Sequence, residues 1–374
     1  MKKSALTLAI SSLFVAGGAI AVEGGPLNEN TIFQEGESKL EIGGRAQGMY
    51  YGTDDDGTDD DQSYFRVNMR GETKIAPEMT AFGFAEYNLP TAGSDNDEVR
   101  HAHVGIKHDR FGTFTYGRQD GLFTMLNDYT DVLPEWGGDG LGKGVEVFGT
   151  GRTNGLAKYV FNYNSLTLGA QFTGNNDPQN SGRSDKSVDL GNGETDKWNA
   201  KGSDQGFAVL AAYDFDMGLS LMTSYNQASK TSEQGKYASF GGDDDAKLYG
   251  VGAKYTNGNL YLAATYAHGE DHLFIGKYNG YAEKHDGYEA VAQYTIGKFK
   301  PSLAYLRTDV KDDDNRIDDT YTEYVSIGAW YNFTKNFNAY VDYQLNLLDD
   351  DTNSTSKLGR NTDDTLAVAL QYNF

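Results

Sequence analysis

From Leu40 to Phe374, apolar and polar residues alternate with a period of two, the spacing of a strand whose side chains point to opposite faces. The stretch 337–347 is clearest. Phe337, Ala339, Val341, Tyr343, Leu345 and Leu347 fall on one face, and Asn338, Tyr340, Asp342, Gln344 and Asn346 on the other. Tyr64 to Glu72 behaves likewise, with Phe65, Val67 and Met69 set against Arg66, Asn68, Arg70 and Glu72. A face carrying arginine, glutamate and asparagine cannot be a dry core, so it meets water, and the apolar face needs lipid or a second sheet. About sixteen candidate strands follow one another, from 40–51 and 64–75 to 337–348 and 364–374, each near the length of a tilted membrane strand.

The connections alternate as well. Short ones, such as 76–79, 109–110, 164–165, 256–259, 297–298 and 334–336, separate long polar ones at 52–63, 90–98, 118–154, 175–205, 229–245, 269–285, 311–319 and 349–363. A soluble sandwich has no reason to lengthen every second loop. An up-and-down membrane barrel has one, with short turns on the periplasmic side and long loops outside.

Composition fits this reading. Mean hydropathy is −0.60, 23% of residues are charged, and no run of 18 apolar residues follows Ile20, which excludes a helical span beyond the leader. The chain nevertheless holds 26 Tyr, 19 Phe and 46 Gly with only 6 Pro, which suits twisted strands and turns. A barrel reconciles the two facts, because only alternate residues touch lipid. The expected fold is all-β: a transmembrane antiparallel barrel of about sixteen strands, its third long loop (about 118–154) the longest early connection.

At the start, Lys2 and Lys3, the apolar run to Ile20 and Ala19-Ile20-Ala21 read as an export signal over 1–21, leaving one barrel domain over 22–374. Losing the two lysines takes the formal charge from −22 to −24, which argues against nucleic acid as a partner. There is no cysteine, so no disulfide framework supports the fold. The aspartate runs 54–56, 59–61, 243–245, 312–314 and 349–351 sit in long loops, as solvated tips or as collectors of divalent cations bridging to lipopolysaccharide. Gly137 to Lys143 mimics a phosphate-binding loop, but Gly144 stands where Ser or Thr should be, and no βαβ unit surrounds it. His101 and His103, beside Arg100, are expected by parity to point out of the barrel. Phe82 and Phe84 share parity with Glu86, so an inward Glu86 would carry two phenylalanines inward.

Several stretches resemble the general diffusion porins of Gram-negative outer membranes. They are Arg66 through Gly71-Glu72-Thr73, Glu86-Tyr87-Asn88, Phe114-Thr115-Tyr116-Gly117-Arg118, the segment Tyr129 to Asp139 around Pro134-Glu135, Tyr340-Val341-Asp342-Tyr343, and Asp363 to Phe374. The likeness implies a homotrimer of sixteen-stranded barrels, each with its own water-filled channel, passing ions and small hydrophilic solutes without a cofactor. It implies that the third loop folds into the lumen with Asp131 and Glu135 as its acidic pair. Opposite them it implies a basic ladder of Arg45, Arg66, Arg100 and Arg152. Parity supports the ladder: Arg45 shares a face with Gln47, Arg66 opposes Phe65 and Val67, and Arg152 shares parity with Lys158. Phe374 and Tyr372 resemble the family's signal to the barrel-assembly machinery. Cation preference is expected from the acidic excess. Within transport, a substrate-specific channel, for instance for sugars, is the alternative. An outer-membrane hydrolase would need a Ser-His pair, and none of the 6 histidines has an evident nucleophile near it in sequence. A secreted adhesin would wash off without detergent.

Overall fold

A computed structural model describes residues 29–53, 60–91, 98–142, 148–175, 188–189, 195–196, 204–231, 245–278, 280–312, 317–351 and 356–374. The leader 1–21 and the aspartates at 54–56, 59, 243–244 and 313–314 lie outside the described residues.

Sixteen antiparallel strands form the wall: β1 Ser38–Thr53, β2 Tyr64–Ala76, β3 Met79–Pro90, β4 Glu98–His108, β5 Gly112–Asp120, β6 Arg152–Tyr163, β7 Leu166–Thr173 and β8 Gly206–Asp214. There follow β9 Leu219–Ser229, β10 Asp245–Asn257, β11 Leu260–Glu270, β12 Lys284–Tyr294, β13 Phe299–Lys311, β14 Asp318–Asn332, β15 Phe337–Asn346 and β16 Thr365–Asn373. Each strand pairs with its sequence neighbours, and β16 returns to pair with β1, so the sheet closes on itself. Closure is what hydrocarbon demands, since an open edge would leave backbone N–H and C=O groups with no water to bond. Among the described residues no helix is long and apolar enough to cross a membrane.

The seam has a third participant. The segment Glu29–Glu35 pairs with β1 from Gly43 down to Ser38, and β16 pairs with β1 from Arg45 upward. Where the two meet, Gly44 and Phe374 exchange backbone hydrogen bonds of 2.9 and 3.0 Å. A Cβ on Gly44 would lie 2.4 Å from the Phe374 ring, so a side chain there would displace the terminal aromatic.

Alternation holds around the wall. Along β16, Leu366, Val368, Leu370 and Tyr372 are exposed to the outside, and Thr365, Ala367, Ala369, Gln371 and Asn373 are buried inside. Two of the register shifts in the wall override parity beside loop 3. On β4 the pairing jumps from Glu86↔His101 to Tyr87↔Val99, which leaves Arg100 as the extra residue of a bulge. The expectation that His101 and His103 point outward is therefore corrected. His101 is buried on the inner face, His103 follows it in parity, and their rings lie T-shaped with centroids 6.4 Å apart. Phe82, Phe84 and Glu86 are likewise buried on the inner face, with the Arg70 guanidinium 4.7 Å from the centre of the Phe82 ring. The second irregularity separates Gly117 from Gln119 on β5, opposite Gly155 with its left-handed φ of +64°. It breaks the parity that linked Arg152 to Lys158: Thr153 is buried, and Arg152 is half-buried in register with Asp120.

The long connection 121–151 (loop 3) enters the barrel, beginning with one short helix, α1 Leu122–Asn127. Gly121 permits this sharp entry, because a Cβ there would sit 1.9 Å from the Gly149 carbonyl oxygen. Leu122, Phe123 and Leu126 have no exposure, packing with Leu210, Ala212, Met222 and Leu248 of the inner wall. Each such burial is worth about 1.5–3 kcal/mol.

Candidate functional site: a charged narrowing of the lumen

Loop 3 is fastened to the inner wall strand by strand. Tyr261 on β11 donates its hydroxyl to the Tyr129 carbonyl at 2.6 Å, and Gln293 on β12 donates to the Val132 carbonyl at 2.6 Å. Glu289, also on β12, accepts the Gly140 N–H at 2.7 Å and the Thr130 hydroxyl. Thr308 on β13 donates to the Gly140 carbonyl, and Tyr324 on β14 donates to Asp139, each at 2.6 Å. On β15, Asp342 Oδ2 accepts the N–H groups of Glu135 and Trp136 at 3.0 and 3.2 Å, and its Oδ1 accepts the Ser326 hydroxyl at 2.6 Å. The glycine stretch that mimicked a phosphate loop is thus occupied as a docking segment, with Gly140 and Leu141 packed against Glu289, Gly287 and Leu306.

Glu135 ends this run. Tyr51 from β1 and Tyr340 from β15 both donate hydroxyls to its carboxylate. It lines a cavity of about 330 Å³ with Arg66, Arg100, Tyr64, Asn88 and Gln47 among the other walls. Opposite-sign groups therefore face one water-accessible space.

The arginines are held by neighbours on adjoining strands. Arg66 Nε donates to Asn88 Oδ1 at 3.1 Å, and its guanidinium lies 4.8 Å over the Tyr64 ring. Arg100 Nε donates to Glu86 Oε1 at 2.8 Å, with both side chains nearly covered. Glu86 also lies 3.4 Å from His101 Nδ1, and His101 Nε2 is 2.9 Å from Asp120 Oδ2. The bulge at Arg100 thus threads an imidazole between two carboxylates, a connection that parity missed. Arg45 is fully buried, its Nε donating to Asn373 Oδ1 at 3.0 Å and its Nη1 to the Tyr64 hydroxyl at 3.3 Å.

Of the six charged residues named from sequence, Arg66, Arg100 and Glu135 share the cavity. Arg45 is paired across the sheet with Arg66 but lies behind Tyr64. Asp131 turns toward its own loop, 3.4 Å from Asn127 Nδ2, with Gly138 packed closely against its carboxylate. Arg152 stands at the base of loop 3 beside Asp120. Sequence reading did not find the fasteners Glu289, Tyr324 and Asp342. Their only local signal is a polar residue on an inward position, which most inward positions share.

A closed barrel with polar inner face, apolar outer face and an inserted loop defines an outer-membrane channel. Comparison with known proteins gives the family. The description "Gram-negative porin" matches residues 35–374, and the chain belongs to that family. It is 35% identical to the outer membrane porin protein OmpD of Citrobacter koseri and 34% identical to outer membrane porin C of Enterobacter cloacae, over the full length of each pair. Among solved structures, OmpF of Salmonella typhi in complex with daunomycin superposes with a TM-score of 0.78 at 29% identity, covering 90% of this chain and 98% of that one. The chain is a channel protein of the outer membrane, not an enzyme.

Proposed function

We propose that the protein is a general diffusion porin whose passive, cation-preferring passage of ions and small hydrophilic solutes is set by a transverse field. Arg45, Arg66, Arg100 and Arg152 supply the positive side, and Asp131 and Glu135 the negative side. The observation that carries the reading is the cavity bounded by Glu135 on loop 3 and by Arg66 and Arg100 on the wall. Charges fixed in a low-dielectric rim focus the field across the gap. A polar solute aligns its dipole there and trades hydration for wall contacts, whereas an apolar solute must displace oriented water. The excess of carboxylates raises the cation concentration at the mouth.

Assembly as a homotrimer belongs to the same reading. It is supported by a shallow apolar depression of about 700 Å³ on the outer face of β1–β5, where Gly71, Ala81 and Gly83 lie between Leu40, Val104 and Tyr116. Exposed Asp349, Asp350 and Asp351 suit divalent cations bridging to lipopolysaccharide, and the terminal Tyr372 and Phe374 suit capture by the barrel-assembly machinery.

Single-channel recording of the detergent-purified protein under a salt gradient tests the proposal. Large conductance lost in steps of three, with a cation-selective reversal potential, is the expected result. Small currents blocked by one particular solute would replace it with a substrate-specific channel.

A further inference from the structure

We infer that Asp60, on the first long loop, is a third selectivity-determining carboxylate of the permeation path, acting on the same space as Glu135 from the extracellular side. This deepens the constriction reading above and rests on it.

The inference begins with backbone. Asp60–Asp61 forms a two-residue strand laid on the upper end of β1, in the register Tyr51↔Asp60 and Tyr50↔Asp61. The return arm of the loop is stitched down below it: the Gln62 N–H bonds to the Met49 carbonyl at 2.9 Å, and the Met49 N–H to Ser63 Oγ at 3.0 Å. Directly paired residues of an antiparallel ladder share a face. Tyr51 faces the lumen, where its hydroxyl binds Glu135, so Asp60 faces the lumen too. Gln62 Nε2 donates to Asp60 Oδ2 at 2.6 Å, which orients the carboxylate without neutralising it. Asp60 is exposed and borders the cavity that Arg66, Arg100 and Glu135 border. A solute descending from outside therefore meets an unneutralised carboxylate before the arginines, with Glu135 on the same flank.

The test uses the full-length exported protein as purified trimer, in planar bilayers with a KCl gradient centred near 0.1 M. Asp60→Asn should lower the K⁺/Cl⁻ permeability ratio by about twofold, and Asp60→Lys by more, as expected for one fixed charge within about a Debye length of the ion path. Repeating the measurement near 1 M KCl should erase most of the shift, because that length falls to about 3 Å. Asp350→Asn removes the same charge from an exposed position on the loop between β15 and β16, away from this cavity, and serves as reference. A shift from Asp60→Asn and Asp60→Lys no larger than that of Asp350→Asn overturns the inference. Glu135→Gln, measured alongside, separates the two claims. Loss of selectivity in Glu135→Gln alone leaves the constriction standing and removes Asp60 from it. A shift in Asp60→Asn without one in Glu135→Gln does the reverse. Asparagine keeps an oxygen for Gln62, so the loop fold is preserved, and heat-resistant gel mobility of the trimer confirms assembly of each variant.

Discussion

The inner wall of this barrel is two surfaces. Along β1–β4 it carries long charged side chains, each braced by a neighbour one strand away: Arg45 with Asn373, Arg66 with Asn88, Arg100 with Glu86. Along β8–β12 it carries Ala208, Leu210, Ala212, Leu248, Gly250 and Gly252 among its polar residues, and loop 3 packs against these smaller groups. Gly250 and Gly252 show it best, since a Cβ on either would come within 2.7 Å of Leu126. One side holds buried charged groups in a hydrogen-bonded network, and the other has become the floor of a small apolar core. The lesson is that a lumen is made asymmetric by side-chain volume as much as by charge.

The comparison can be broken most severely at the joint between the two surfaces. Asp342→Ala leaves the Glu135 and Trp136 N–H groups and the Ser326 hydroxyl without their acceptor. We expect a loss of about 3 kcal/mol, seen as a lower temperature for loss of folded gel mobility, together with noisier single-channel current as loop 3 loosens. Gly250→Leu comes next. It meets Leu126, Phe123 and the Tyr266 carbonyl, and should cost about 1–3 kcal/mol by overpacking. Gly48→Ala, on the outward face of β1 with nothing within 4 Å of its Cβ, serves as reference and should stay within about 0.5 kcal/mol in the same melting assay. Equal effects of the two substitutions would show that loop 3 does not fill the space beside Gly250.

Charge should separate the walls in opposite senses. Arg66→Ala should raise the K⁺/Cl⁻ permeability ratio and Glu135→Gln should lower it, each about twofold at low salt; shifts of one sign would show that the two do not face each other across the path. The smallest effect concerns the roof. His272 is buried in the long connection between β11 and β12 beside Phe148, and burial, with the Lys230 charge nearby, pushes its imidazole down to about 3. The unfolded chain, near the ordinary value of about 6.5, binds the proton more readily. Stability should therefore fall as pH drops through the window between 6.5 and 3, and His272→Phe should flatten that slope in melting curves at successive pH values.

Much of this architecture was legible in the sequence. Alternation gave the strands, and the alternating loop lengths gave the barrel. Parity placed Arg45 and Arg66 correctly on the inner face because β1 and β2 pair without a shift there. It failed for His101 and for the link from Arg152 to Lys158, where one extra residue changes the face of everything beyond it. Helix α1 escaped notice because Leu122–Asn127 is too short to show a helical period. The seating of loop 3 was invisible for another reason: Glu135 is held by a residue 207 positions later, and Gly140 by one 149 positions later, with no local pattern joining them. Resemblance named Asp131 and Glu135 together, and only the fold distinguishes a carboxylate facing the cavity from one facing its own loop.

That distance along the chain sets an order of events. Loop 3 is made early, yet the groups that seat it sit on β11 to β15, and the wall itself closes only when β16 reaches β1 beside Glu29–Glu35. Contacts of such long sequence separation carry a large loop-closure cost. A chain truncated before Asp342 therefore lacks both the acceptor that seats Glu135 and the strand that closes the wall on β1.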